Sequence, residues 1–376
     1  MPVSRGIAIA VVCAVGASRS LRGQATDALY ARCNAVSGWE TRGFAFDPGI
    51  GTKSVWEWTL PLVVVAPIGR SVSLDLTTNY ASARLDSYAG SSETLSGLTD
   101  TEVRILYTMS RDRLVGSISF NLPTGQHTLS ASQFSVAGAV GSNYLSFPVS
   151  NFGTAFGVTG GVAYAQTAGG WNLGLSGSAR YLSTYSPFAG DTVSYAPGME
   201  VRVRGGADRL LGNKSRLLLG ATVSTFSTDV YTGSNALVAG SYAPGTRLIG
   251  DVTWLRVFGR STVTVAAWDL YRLAGVGSTG PNPETKENVL DADVRLTYGL
   301  RPGVEVEPSV AFRQWTPADY VGGRLGSGAL TVRAGLTPRL ALTVVGRYDA
   351  GWIFDQTSGR ANLSGYGASA FLRLER

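Results

Sequence analysis

The stretch LTDTEVRILYTMSRDRLVGSISFNLPTG, residues 98–125, decides how this chain is read. Val103, Ile105 and Tyr107 alternate with Glu102 and Arg104. After a charged turn, Ile118, Phe120 and Leu122 alternate with Ser117, Ser119 and Asn121. Period-two alternation in two adjacent runs predicts an antiparallel hairpin. A soluble sandwich and a membrane barrel spell this alternation with opposite meanings, so the rest of the chain must say which face is the inside.

From residue 39 onward the chain reads as sixteen such strands, near 39–47, 55–67, 72–85, 99–108, 114–122, 154–165, 171–181, 199–208, 215–226, 246–258, 261–273, 288–300, 304–314, 326–336, 340–352 and 362–374. Fourteen is the alternative, if the first hairpin is irregular or forms part of a plug. These lengths suit a tilted strand crossing a bilayer. From residue 67 the connections alternate between short ones (259–260, 301–303, 337–339) and long ones (86–98, 123–153, 182–198, 227–245, 274–287). Short turns on one side and long loops on the other are the habit of an outer-membrane barrel. The expected fold is therefore all-β: one transmembrane antiparallel up-and-down barrel over residues 26–376, with both ends in the periplasm.

On that reading the apolar face meets lipid and the polar face lines a lumen. Trp171, Leu173, Leu175 and Tyr181 oppose Asn172, Ser176, Ser178 and Arg180, and Val304, Val306, Val310 and Phe312 oppose Glu305, Glu307, Ser309 and Arg313. Parity assigns as pore-lining Glu102, Arg104, Arg180, Glu200, Arg202, Arg204, Asp291, Asp293, Arg295, Glu305, Glu307, Arg313, Arg333, Arg347 and Asp349. Glu57, Asp75, Asp251, Arg247 and Arg373 share that face. Walls of mixed sign order water and select solutes in porins; cross-strand pairing that merely braces the wall is the alternative. Trp56, Trp58, Tyr80, Tyr107, Trp171, Tyr181, Tyr298, Tyr348 and Trp352 fall near strand ends, where an aromatic girdle belongs.

Composition agrees. Charged residues make up 15% of the chain, against about a quarter in soluble proteins. The net charge of +6 is spread over single arginines with only three lysines, Lys53, Lys214 and Lys286. Nothing resembles the basic stripe of a nucleic-acid binder. Residues 1–25 read as a signal peptide, with Arg5, an apolar run from Gly6 to Ala17, and cleavage after Ala25 or, alternatively, Ala17. The outer membrane is then the expected location. Lipid, small-molecule solutes and the barrel-assembly machinery are the expected partners, although the last strand puts Phe371 five residues before Arg376 instead of ending on an aromatic residue.

Chemistry has little to stand on. The single histidine, His127, lies near Ser130 and Ser132, but no spacing ties it to a nucleophile. No His/Cys cluster suits a transition metal, and the loop acids Asp191 and Asp229 lack calcium-ligand spacing. We expect no metal, no cofactor and no turnover, with a loop-centred hydrolase as the rival. In the longest loop Ser130 and Gln133 form a capping-box pattern ahead of Phe134, Ala137, Val140 and Tyr144 at helical spacing. This predicts a short helix near 130–140, either folded into the mouth or covering loop surface.

Gly97, Asp100 and Thr101 at the start of one strand, and Leu122, Pro123, Thr124 and Gly125 at the exit of the next, resemble the outer-membrane barrels grouped under the meta-pathway of phenol degradation. Those are similar in plan to the long-chain fatty-acid transporters of the same membrane. The resemblance implies a conduit for hydrophobic or aromatic compounds. Residue patterning favours passive passage of small solutes, and strand-end turn chemistry accounts equally well for the motif.

Overall fold

The computed structural model describes residues 33–109, 113–190, 192–233, 240–277, 285–355 and 359–375; the expected signal peptide lies outside them. The wall begins with β1 (Asn34–Phe46), β2 (Thr52–Ile68), β3 (Val72–Ser87), β4 (Ser92–Leu98), β5 (Thr101–Met109), β6 (Leu114–Leu122), β7 (Gly157–Ala168) and β8 (Trp171–Leu182). It continues, after a short β9 (Ser194–Ala196) in a loop, with β10 (Glu200–Leu211) and β11 (Ser215–Phe226). Past the loop strands β12 (Asp229–Thr232) and β13 (Gly240–Ala243) come β14 (Arg247–Phe258) and β15 (Ser261–Arg272). After loop strand β16 (Val276–Gly277) follow β17 (Glu287–Arg301), β18 (Val304–Pro317), β19 (Gly323–Thr337), β20 (Leu340–Asp355) and β21 (Gly359–Glu375).

Neighbouring wall strands pair antiparallel, and β1 pairs with β21 from Asn34↔Glu375 to Phe46↔Leu363, so the sheet closes on itself. β4 and β5 both pair with β3, on different stretches of it, so the 17 segments make sixteen staves. Closure leaves no long sheet edge to be satisfied within hydrocarbon. Alternation places the charges inside: Glu57 is 1% exposed between Trp56 at 40% and Trp58 at 38%. A carboxylate facing inward between two exposed indoles is the arrangement of a lipid-facing wall around a polar interior.

Two expectations about connections need correcting. Residues 86–98 do not form a long loop; β3 runs to Ser87 and returns as β4, paired from Tyr80↔Leu98 to Asp86↔Ser92. In SETLSGL only Leu95 is buried, so the alternation that marks the other strands is faint here. Nor is the short–long order strict, because β18 and β19 are joined at the loop end by 318–322 alone. The long connections are confined to the arc from β6 to β17, and their strands make a second sheet in the order β16-β13-β12-β9.

The loop between β6 and β7 carries helix α1 (Ala131–Val140) with the full capping box: the Gln133 N–H donates to Ser130 Oγ, and the Ser130 N–H to Gln133 Oε1. Val136 and Val140 are buried, while Phe134 lies to one side against Phe188, ring centroids 4.8 Å apart. The helix does not cover loop surface. Together with Tyr144, Leu145, Phe147, Val149 and Phe152 it packs on the inner wall, against Phe44, Val55, Ala81, Ala83, Leu95, Leu325 and Leu363. A sixteen-stranded barrel is too wide for wall side chains to fill; here one side of the loop-end mouth is filled by an inward-folded segment.

Candidate functional site

Two features make the site: the inward loop and a polar cavity beside it. The loop is held at its base by Asp100. β4 and β5 are separated by Thr99 and Asp100, and the pairing sum along β3 shifts by one residue between Tyr80↔Leu98 and Thr77↔Glu102. An extra residue in one strand redirects a side chain, and here it lets Asp100 reach the loop. Its Oδ2 accepts from Thr154 N (2.7 Å), Thr154 Oγ1 (2.8 Å) and Asn121 Nδ2 (2.8 Å), and its Oδ1 from Gly125 N (3.1 Å). Thr101 Oγ1 meets Thr124 Oγ1 at 2.9 Å, and Thr124 Oγ1 lies 2.9 Å from Thr99 O. At Gly125 a Cβ would stand 2.0 Å from the Phe152 carbonyl oxygen, so the two ends of the loop meet where only glycine fits. The Gly-x-x-Asp-Thr and Leu-Pro-Thr-Gly residues thus fasten this loop.

Farther along, the wall grips the loop backbone with charged groups. Arg42 donates to Ser146 O (2.5 Å), Arg313 to Tyr144 O (3.0 Å), and Val149 N–H to Glu57 Oε1 (2.9 Å). Tyr144 stacks on Trp315, centroids 5.8 Å apart, and its hydroxyl donates to Trp352 O at 2.9 Å. Arg313 also pairs with Asp291 at 2.6 Å, both groups being almost fully buried. Arg313→Ala removes this arginine from both contacts; burying Asp291 unpaired is expected to cost about 3–5 kcal/mol. That loss should appear as a lowered unfolding temperature of the purified barrel.

Beside the loop base, with Asn121 common to both, β5, β6, β7, β8 and β10 border a cavity of about 260 Å³. Small polar residues keep it open: Ser117, Ser119, Thr159, Ser176 and Ser178, with Gly161 and Gly177. Its charged lining is Glu102, Arg104, Arg180, Glu200, Arg202 and Arg204. Arg104 pairs with Asp75 (2.7 Å), Arg202 with Glu200 (2.6 Å) and Arg204 with Asp251 (2.8 Å). Arg180 and Glu102 have no ion-pair partner among the described residues. The Arg204–Asp251 bridge spans β11 above Gly220, where a Cβ would lie 2.5 Å from both the guanidinium and the carboxylate. Gly220→Ala is therefore expected to part the pair without removing either charge, seen as a small change of ion selectivity in a folded barrel.

No protein-family model matches the chain, and no curated protein matches it in sequence. Among solved structures, a bacterial polysaccharide outer-membrane secretin is similar at 10% identity and a TM-score of 0.49, over 93% of this chain and 99% of that one. The TodX monoaromatic hydrocarbon channel, as a deltaS2 mutant, is similar at 10% identity and 0.48, over 92% and 90%. A Pseudomonas aeruginosa FadL homologue is similar at 9% identity and 0.44, over 91% and 90%.

The inner wall thus carries all fifteen residues expected to line a pore, but in two groups. Glu102, Arg104, Arg180, Glu200, Arg202 and Arg204 border the cavity. The other nine lie on the far wall and are largely paired there: Asp291 with Arg313, Asp293 with Arg295 (2.5 Å), Glu307 with Arg333 (3.0 Å) and Asp349 with Arg347 (2.8 Å). Glu305 stands opposite Arg333 in register. Asp349 is shared with Arg42 at 3.4 Å. Sequence reasoning missed Arg42 and Gly220 altogether.

The residues considered for chemistry have other occupations. Ser130 caps α1, and His127 packs edge-on against Tyr185 at 5.9 Å, its buried Nδ1 without a hydrogen-bond partner among the described residues. Asp229 accepts from the Tyr195 hydroxyl and the Gly198 N–H, both at 2.6 Å. Burial pushes Tyr185 up to about 12, and burial followed by the bond to Asp229 raises Tyr195 as well, so this aromatic cluster in the loops stays uncharged at neutral pH. Asp191 lies outside the described residues.

Proposed function

We propose that this protein is an outer-membrane channel for passive passage of small polar solutes, with no turnover chemistry and no cofactor. The observation that carries the reading is the cavity beside the inward loop: it is lined by hydroxyls, glycines and charges, and Val162 and Ala163 are its only larger apolar residues. Hydrogen-bonding groups and paired charges replace part of a solute's hydration shell, whereas an apolar passenger would strand them. This is why we place passage of polar solutes ahead of a conduit for hydrophobic or aromatic compounds. A hydrolase is less well supported, since His127 meets a tyrosine ring and Ser130 caps a helix. In this reading the six charged cavity residues select among solutes, and the nine far-wall residues brace the barrel against the loop.

Swelling of proteoliposomes in isotonic solutions tests it. Arabinose- and glycine-sized solutes are expected to enter, at rates that fall as solute size rises. Entry of benzene derivatives but not of arabinose would favour the hydrophobic conduit. Cleavage of lipid or peptide that His127→Ala abolishes would favour the enzyme.

A further inference from the structure

We propose that the turn end of β10 and β14 carries a binding site for the phosphate of an anionic glycerophospholipid, in the leaflet that meets the short turns. Arg209 and Arg256 face outward on these strands, on the same sides as the exposed Val203 and Val252. Each lies over a ring of the lipid-facing surface: Arg209 over Trp171 at 5.3 Å and Arg256 over Phe258 at 4.9 Å. Neither has an ion-pair partner among the described residues. One strand, β11, separates them, with Leu217 opposite Arg209 and Ser215 opposite Arg256. Two strand spacings combined with the two-residue offset along β11 put their Cα atoms about 12 Å apart, within reach of one headgroup for two long side chains.

The surroundings name the sign of the ligand. Lys214 and Arg260, in the adjoining turns, are exposed as well. The carboxylates of this end turn away: Asp208 faces the lumen and binds Arg216 Nε at 2.7 Å, and Glu375 binds Arg373 at 2.6 Å. The outward surface here therefore presents cations without exposed carboxylates among the described residues. Leu211 and Phe258 remain exposed beyond the two arginines toward the turn, so the guanidiniums stand at the edge of the apolar band. A charge there is tolerable but unpaired, and a lipid phosphate supplies both the counter-charge and the acceptors that a guanidinium fork binds in two-point fashion. Aromatic rings beneath the guanidiniums hold them at headgroup depth.

Native mass spectrometry of the whole barrel, released from nanodiscs holding equal phosphatidylglycerol and phosphatidylcholine, tests the site. The unaltered protein is expected to retain phosphatidylglycerol. Arg209→Gln with Arg256→Gln should lower that preference about thirtyfold, the weight of two interfacial arginines. Arg84→Gln with Arg360→Gln, at the loop end, should leave it unchanged. An unaltered preference in the first variant, an equal loss in the second, or retention of added lipopolysaccharide in place of phosphatidylglycerol would overturn the proposal. If the first variant does not fold, quenching of the native tryptophans decides: brominated phosphatidylglycerol should quench more than brominated phosphatidylcholine, and equal quenching refutes the site.

Discussion

Asp100→Ala is expected to release the base of the inward loop and raise single-channel conductance. One carboxylate there accepts four hydrogen bonds, from Asn121, Gly125 and twice from Thr154, joining the start of β5 to both ends of the loop. Hydrogen bonds to a charged group contribute about 1.5–3 kcal/mol each. Removing the shared acceptor also leaves donors to find water, and the loop base is the place where water would follow. The wall pairs to Tyr144, Ser146 and Val149 lie farther along and should keep the barrel assembled. Limited proteolysis should then cut between residues 123 and 156 in the variant and spare the parent. Asp100→Asn, which keeps one acceptor oxygen, is expected to fall between the two. If conductance and proteolysis are both unchanged in Asp100→Ala, the loop is held by its apolar packing alone.

Arg202→Ala with Arg204→Ala should turn the channel toward cations. Both guanidiniums border the cavity, paired with Glu200 and Asp251, so their loss removes two positive charges and uncovers two carboxylates. A unit charge at about 4 Å is worth about 1 kcal/mol in water, about a fivefold change in ion ratio for each before salt screening. The reversal potential in a salt gradient reads this directly, and the shift should shrink as ionic strength rises. Arg180→Ala, which removes one unpaired cation, is expected to move selectivity the same way by less. A folded double variant with unaltered selectivity would mean that ions do not pass this wall.

What could be read from sequence follows from what alternation encodes. Each wall strand long enough to cross the bilayer declares its two faces, so the stave count, the inward charges and the outward indoles at Trp56 and Trp58 were all legible. The capping box at Ser130 and Gln133 was legible too, being local. The loop's direction was not, because its grips are long-range: Arg42 to Ser146, Glu57 to Val149 and Arg313 to Tyr144 join residues that only barrel closure brings together. Parity says that Arg204 faces inward, yet only the register of β10, β11 and β14 says that Gly220 leaves room for it to reach Asp251. Asp100 stood in plain view within a motif, but its reach depends on a one-residue shift in pairing that period-two reading cannot detect.

Conductance of the purified protein in planar lipid bilayers tests the central claim most directly. A water-filled path past the inward loop predicts steady, ohmic channels in simple salt, with selectivity that follows the charges at residues 202 and 204. A bilayer that stays silent although the protein is inserted and folded, with detergent or aliphatic chains held inside the barrel, would contradict it.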